Sequence, residues 1–200
     1  MVCYDRQIDG LNFPSVAIDD YKAAVLLLEH LIQSGRRHIA YFGKSDLTSI
    51  ASARFSGYYH AMQEKGLTPR DEYCIDIETN EASGYREAKE LLASGLALDA
   101  IVCSSDLMAL GVGQAVLEAN LSIPGDIMLA GFGNIDQVDR LGVKYFTIDQ
   151  NPFEMGQKAV ELVLQEIESR NRPHEAEHII IESKLIMRES LGASITSVID

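Results

Sequence analysis

The chain has 200 residues, 46% of them hydrophobic and 24% charged, and a formal net charge of −13. That length buries a core without staples and fits one large domain or two small ones. The acidity, with Arg36-Arg37-His38 as the one short basic run, argues against a nucleic-acid surface made by this chain itself.

Three widely spaced cysteines, Cys3, Cys74 and Cys103, each sit in an apolar run and read as reduced, buried thiols. There is no C-x-x-C pair, which excludes a zinc ribbon. No apolar run approaches the roughly 18 residues of a membrane span. Met1 to Arg6 lacks the basic and apolar regions of a secretion signal. A reducing, cytoplasmic compartment is the expectation.

Taken in chain order, the pattern alternates. Asp19 or Asp20 is placed to cap a helix whose apolar residues Ala24, Leu27, Leu28 and Leu31 recur at helical spacing, and Gly35 suits a left-handed cap at its end. Ile39 to Gly43 is an apolar run of strand length. A second helix carries Phe55, Tyr58, Tyr59 and Met62 and stops at Gly66. Tyr73 to Ile77 reads as the second strand. A third helix starts near Ser83, buries Tyr85, Ala88, Leu91 and Leu92, and stops at Gly95. Ala100 to Cys103 is the third strand, followed by a helix capped by Ser105 or Asp106 that runs to about Asn120. After the Pro124-Gly125 turn, Ile127 to Phe132 is the fourth strand. Strands apolar on both faces, each followed by a helix, predict an α/β fold: a Rossmann-like parallel sheet with helices on both faces.

Beyond Phe132 the rhythm breaks. Gly133 to Tyr145 is polar and irregular, and Phe146-Thr147-Ile148 is a short extended piece. Asn151 caps a helix with Pro152 at its first position and an apolar stripe of Met155, Ala159, Leu162, Val163 and Ile167. Asn171 to Glu177 is a polar loop, His178 to Arg188 reads as one extended segment, and Gly192 to Asp200 as a frayed tail.

Open parallel sheets bind ligands beyond the carboxyl ends of their strands. Those ends lead to Lys44, Ser45, Asp46, Thr48, Ser49, Ser52 and Arg54; to Glu78, Thr79 and Asn80; to Ser104, Ser105 and Asp106; and to Asn134 and Asp136. A rim of hydroxyls, amides and carboxylates with few cations suits a neutral, hydroxyl-rich ligand better than a polyphosphate. Ser105 and Asp106 equally fit a plain helix cap, as do Ser49 and Ser52. Arg54, read as lying in the first turn of a helix where a cation opposes the dipole, is either a ligand contact or a surface ion pair.

Motifs of catalysis fail. Gly43-Lys44-Ser45 lacks the first glycine of a P-loop, whose position is His38. Gly111-Val112-Gly113 lies inside a helix, no G-x-S-x-G is present, and the five histidines form no H-E-x-x-H. No enzyme activity, cofactor or metal is expected.

The order of short motifs is more informative than any one of them. Asp5-Arg6 ends a strand. Val16-Ala17-Ile18-Asp19-Asp20 precedes a helix ending in Glu29 to Gly35. Arg36-Arg37-His38-Ile39-Ala40, Arg54-Phe55-Ser56-Gly57-Tyr58 and Ser104-Ser105-Asp106-Leu107-Met108-Ala109-Leu110-Gly111 follow. Ile123-Pro124-Gly125-Asp126-Ile127 then leads to Ala130-Gly131-Phe132, Thr147-Ile148-Asp149-Gln150-Asn151-Pro152 and Met187-Arg188-Glu189-Ser190-Leu191. This ordered set, spanning residues 1–191, closely resembles the effector-binding region of the LacI/GalR family of bacterial transcriptional repressors.

The resemblance implies a periplasmic-binding-protein-like type I fold with two Rossmann-like lobes. Residues 1–17 and 149–171 would be a remnant of the first lobe, residues 18–148 and 172–190 the complete second lobe, and residues 191–200 a tail. It implies an N-terminally truncated chain that senses a sugar or similar polar effector. Operator DNA would be met only through a head absent from this chain, the full-length protein would be a homodimer, and no membrane would be involved.

Position by position, Arg54 matches the family arginine that grips ligand hydroxyls or carboxylate, its planar fork suited to bidentate bonding. Asp5 matches a strand-end acid, and Gln150 a crossover glutamine. Ser105 stands where several members place an asparagine. Thr79 stands where a stacking aromatic is common. Gly133 replaces the usual ligand-binding aspartate, with Asn134 and Asp136 nearby. A transport-type sugar-binding protein of the same fold is the alternative; the missing secretion signal counts against it, and Arg188-Glu189-Ser190 favours the repressor. An enzyme on a related doubly wound sheet is a distant third.

Overall fold

The computed structural model describes residues 1–6, 12–44, 49–168, 176–188 and 197–199. The first half of the chain runs β1 (Cys3–Tyr4), β2 (Ser15–Ile18), α1 (Asp20–Gln33), β3 (Ile39–Phe42), α2 (Ser49–Glu64), β4 (Cys74–Ile75) and α3 (Glu81–Ala93). It continues with β5 (Ala100–Cys103), α4 (Asp106–Glu118), β6 (Met128–Phe132), β7 (Tyr145–Asp149) and α5 (Pro152–Glu168). The last elements are β8 (His178–Ile181), β9 (Lys184–Arg188) and β10 (Ser197–Ile199). Short 3-10 helices cover Asp71–Tyr73 and Asp136–Leu141.

These elements form two units, Met1–Asp19 with Gln150–Ser183, and Asp20–Asp149 with Lys184–Asp200. The second unit is built on a seven-stranded sheet of order β10-β9-β7-β6-β5-β3-β4. β3 to β7 are mutually parallel, whereas β9 runs antiparallel to β7 and β10 antiparallel to β9. Every residue of β3, β5 and β6 is buried. Side chains alternate across the sheet. Ala40, Phe42, Ile101, Cys103 and Leu129 pack with α3 and α4. On the other face Tyr41 meets Phe55 and Tyr58 of α2, and Phe146 meets His30 of α1.

The G-V-G run of α4 has a packing role. A Cβ on Gly111 would stand 1.9 Å from the Glu81 carbonyl oxygen, so its absence lets α3 and α4 touch backbone to backbone. The basic run is spent inside the unit. Arg36 donates to the carbonyls of Pro124 and Gly125, and Arg37 to those of Ile32 and Arg36.

The first unit has a parallel sheet of order β1-β2-β8, with α5 packed on it. Met155 and Leu162 are the buried apolar residues of α5, while Val163 and Ile167 of its expected stripe stay exposed.

Three expectations change. His178 to Arg188 is not one segment but two strands: β8 pairs with β2 in the first unit, so the polypeptide returns to the second unit only at Lys184. Residues 172–183 therefore leave the second lobe to which they were allotted. Ser197–Ile199, expected in a frayed tail, pairs with Leu185 to Met187. Third, α2 starts at Ser49, which puts Arg54 in its second turn, clear of the dipole penalty.

Candidate functional site

Arg54 projects from α2 at the carboxyl end of the second unit's sheet and is buried to 6% exposure. Its Nε donates to Asp20 Oδ1 at 2.6 Å and its Nη1 to the Ser104 carbonyl oxygen at 2.6 Å. One face of the guanidinium lies 4.2 Å from the centre of the Phe132 ring. Neither sequence reading anticipated this arrangement, because the ion pair is interior: Asp20 is itself 7% exposed. Removing two charges from water is costly and is offset by short, directional bonds. Arg54 is thereby held through Nε and Nη1, and among the described residues Nη2 makes no hydrogen bond.

A second buried group lies at the same end. The Asp106 carboxylate, on a residue 1% exposed, accepts from the Tyr145 hydroxyl, from Thr147 Oγ1 at 2.9 and 3.0 Å, and from the Ile135 N–H at 3.1 Å. Tyr145 and Thr147 alternate on β7 and so reach one face. Gly131 makes room for them: a Cβ there would stand 2.1 Å from the Tyr145 hydroxyl and 2.6 Å from Asp106 Oδ1. Burial pushes the Asp106 carboxyl above the usual range, and the hydrogen bonds from Tyr145, Ile135 and Thr147 work against that push. In the sequence Asp106 read as a rim residue or a plain helix cap, not as a buried carboxylate. The signal for more was an acid one residue into a helix, with hydroxyls at alternate positions of a later strand.

The other expected residues divide between the units. Ser105 caps α4 by accepting from the Met108 N–H at 3.4 Å, and Asn80 caps α3 by accepting from Ser83 at 2.9 Å. Thr79 is exposed, and Lys44 pairs with Glu78 at 3.1 Å. Asn134 and Asp136 both turn to Arg188, with Nη1 to Asn134 Oδ1 at 2.8 Å and Nη2 to Asp136 Oδ1 at 3.2 Å. Asp5 and Gln150 meet in the first unit, Gln150 Nε2 donating to Asp5 Oδ1 at 3.4 Å. Ser45, Asp46, Thr48, Glu189, Ser190 and Leu191 lie outside the described residues. Among the described residues no cluster of His, Cys, Asp and Glu could hold a metal ion. None of the described helices is long and apolar enough to cross a membrane.

The family profile of the periplasmic binding protein-like domain matches residues 28–191. The transcriptional repressor PurR of Glaesserella parasuis is 34% identical over 177 residues, covering 82% of this chain and 52% of that protein. The transcriptional regulator GalR of Escherichia coli is 31% identical over 173 residues, covering 86% of this chain and 50% of its own length. The chain thus spans about half the length of these curated relatives. A LacI family transcriptional regulator from Enterococcus faecium, solved with bound ribose, superposes with a TM-score of 0.80 at 27% identity, covering 92% of this chain and 67% of that one.

Proposed function

Because this chain belongs to the periplasmic-binding-protein-like family, in its LacI/GalR branch, we propose that it is the effector-sensing part of a transcriptional repressor, with a neutral sugar as effector. The observation that carries the reading is Arg54: a rigid donor at the strand ends whose charge is already matched by Asp20. A cation so balanced attracts an anionic ligand weakly, and the spare Nη2 edge suits neutral hydroxyls, each able to accept a charge-assisted hydrogen bond. The ribose held by the Enterococcus faecium regulator is a ligand of that class. Ser105 is the second contact proposed for the second unit, with Thr79 at the rim. Asp5 and Gln150 are the polar pair proposed for the first unit.

Operator DNA is proposed as a partner of the longer protein only, through a head outside this sequence, with homodimer formation and a cytoplasmic setting as in a repressor. The curated relatives are named as regulators rather than transporters, which supports this reading over a transport protein. Regulation without catalysis is the role proposed.

Calorimetry with neutral mono- and disaccharides, set against their phosphorylated forms and purine bases, tests the proposal. One or more neutral sugars should bind best. Arg54→Lys keeps a charge for Asp20 but loses the fork, so affinity should fall roughly 10- to 150-fold, the worth of a hydrogen bond to a charged group. Tighter binding of a sugar phosphate, or unchanged affinity in Arg54→Lys, would overturn the site.

A further inference from the structure

Loop 133–136 follows β6 at the strand ends and carries an unusual backbone. Gly133 has φ 130° and Asn134 φ 52°, two successive residues in a region L-residues seldom enter. Such a turn persists only where its surroundings hold it. From beneath, Thr147 Oγ1 accepts from the Asn134 N–H at 3.1 Å and Asp106 Oδ2 accepts from the Ile135 N–H at 3.1 Å. From the side, Arg188 Nη1 donates to Asn134 Oδ1 at 2.8 Å and to the Asn134 carbonyl oxygen at 3.3 Å.

Arg188 is itself aimed. Its Nε and Nη2 make a two-pronged bond to Asp139, at 3.0 and 2.8 Å, and its side chain is 14% exposed. Asp136 adds little, since its side chain is 96% exposed and its contact is screened by water. The planar fork is what allows one residue to bind Asp139 with one edge and Asn134 with another; an ammonium on a flexible stem lacks that geometry. β9 pairs with β7 in a register that sets Arg188 opposite Tyr145, so the same strand pair supplies both the floor and the side of the loop.

We propose that Arg188 is a positioning residue that fixes loop 133–136 in the form a ligand meets, and that Asn134 and Asp136 serve this latch rather than the ligand. Gly133 has no side chain, so at that position the loop offers a ligand only backbone groups. The position of the backbone then decides what is recognised. The ligand half of this inference rests on the proposed site at the strand ends; the latch itself does not.

Amide hydrogen exchange followed by NMR on the protein without ligand tests the latch. In Arg188→Ala and Arg188→Lys the Asn134 and Ile135 amides should exchange about tenfold faster or more through local opening, while Leu129 and Ala130 of β6 keep their rates. Asp139→Asn should act in the same direction through Arg188. Unchanged exchange at Asn134 and Ile135 would overturn the proposal. So would equal acceleration throughout β6, which would make Arg188 a general stabiliser. The second arm titrates D-ribose into wild type and Arg188→Lys, where affinity should fall about tenfold at unchanged thermal midpoint. Unchanged ribose affinity alongside faster loop exchange would refute the ligand half alone. Wild type that binds no ribose would count against the sugar reading, and the exchange arm would then decide the latch.

Discussion

Helices α4 and α5 carry the same number of apolar side chains, over 13 and 17 residues, and have opposite fates. α4 buries nine residues, among them Met108, Ala109, Leu110, Val112, Ala115 and Val116, because the sheet, α3 and the 3-10 helix at Asp136–Leu141 enclose it. α5 buries Met155 and Leu162, while Phe153, Val160, Leu164 and Ile167 remain 76%, 59%, 55% and 63% exposed. An apolar stripe in a sequence therefore states what a helix is able to bury, and the elements around it decide how much it does bury. The same contrast holds for polar groups. In the second unit an ion pair is locked inside at 2.6 Å, whereas in the first the pair Asp5–Gln150 is part-buried and 3.4 Å long.

The largest effect should come from the buried pair. Asp20→Ala leaves Arg54 as an uncompensated interior cation, which costs roughly 3–5 kcal/mol, while Gln150→Ala should cost under about 1 kcal/mol. Urea denaturation of both variants would show it, and similar losses would break the contrast. Next, Met108→Ala should cost roughly 2–5 kcal/mol, against a change within about 0.5 kcal/mol for Leu164→Ala on α5. A Leu164→Ala variant as unstable as Met108→Ala would show that α5 is covered in solution.

The smallest expected effect is the pH response of Asp106. Burial raises its folded pKa, so the folded chain takes up this proton at a higher pH than the unfolded chain does. The associated stability grows as pH falls from neutral toward the ordinary carboxylate value of about 4, and is lost as pH rises through the folded pKa. Relative to Asp106→Asn, wild type should gain stability over that interval in urea titrations. A gap that narrows on acidification would mean that the three hydrogen bonds outweigh burial.

Most of the second unit was legible because its strands are buried on both faces and its helices end at Gly35, Gly66 and Gly95. β5 falls on the expected residues, and β3 and β6 within one residue at each end. His178 to Arg188 was not, since two consecutive strands with one alternating pattern look like a single strand; only the pairing of Ser15 with His178 and of Asp149 with Lys184 tells them apart. The site was half legible. Arg54 stood out as a cation expected in the first turn of a helix and as a match to the family arginine, although α2 in fact places it in the second turn. Its partner Asp20 did not, because a carboxylate at a helix start is already explained by capping. Asn134 and Asp136 looked available for a ligand only because nothing in the sequence places Arg188, some 50 residues on, beside them.

The return of the chain through β8 has a consequence for how the protein assembles. Ser15 and His178 are neighbours in the small sheet although 163 residues separate them. Most of the second unit, by contrast, is one uninterrupted stretch, Asp20–Asp149, rich in adjacent strand-helix pairs. Contacts between near neighbours form quickly and those between distant segments slowly. During synthesis the parallel core β3 to β7 can settle while residues beyond 149 are still being added, whereas β2 waits unpaired with β8 until Ile181 has been added. Once the core has folded, the intervening chain is no longer a free coil, and closing the small sheet costs less entropy than a loop of that length would. The order of assembly is thus set by connectivity: the parallel core β3 to β7 early, the three-stranded sheet late, with β9 and β10 added to the large sheet after β8.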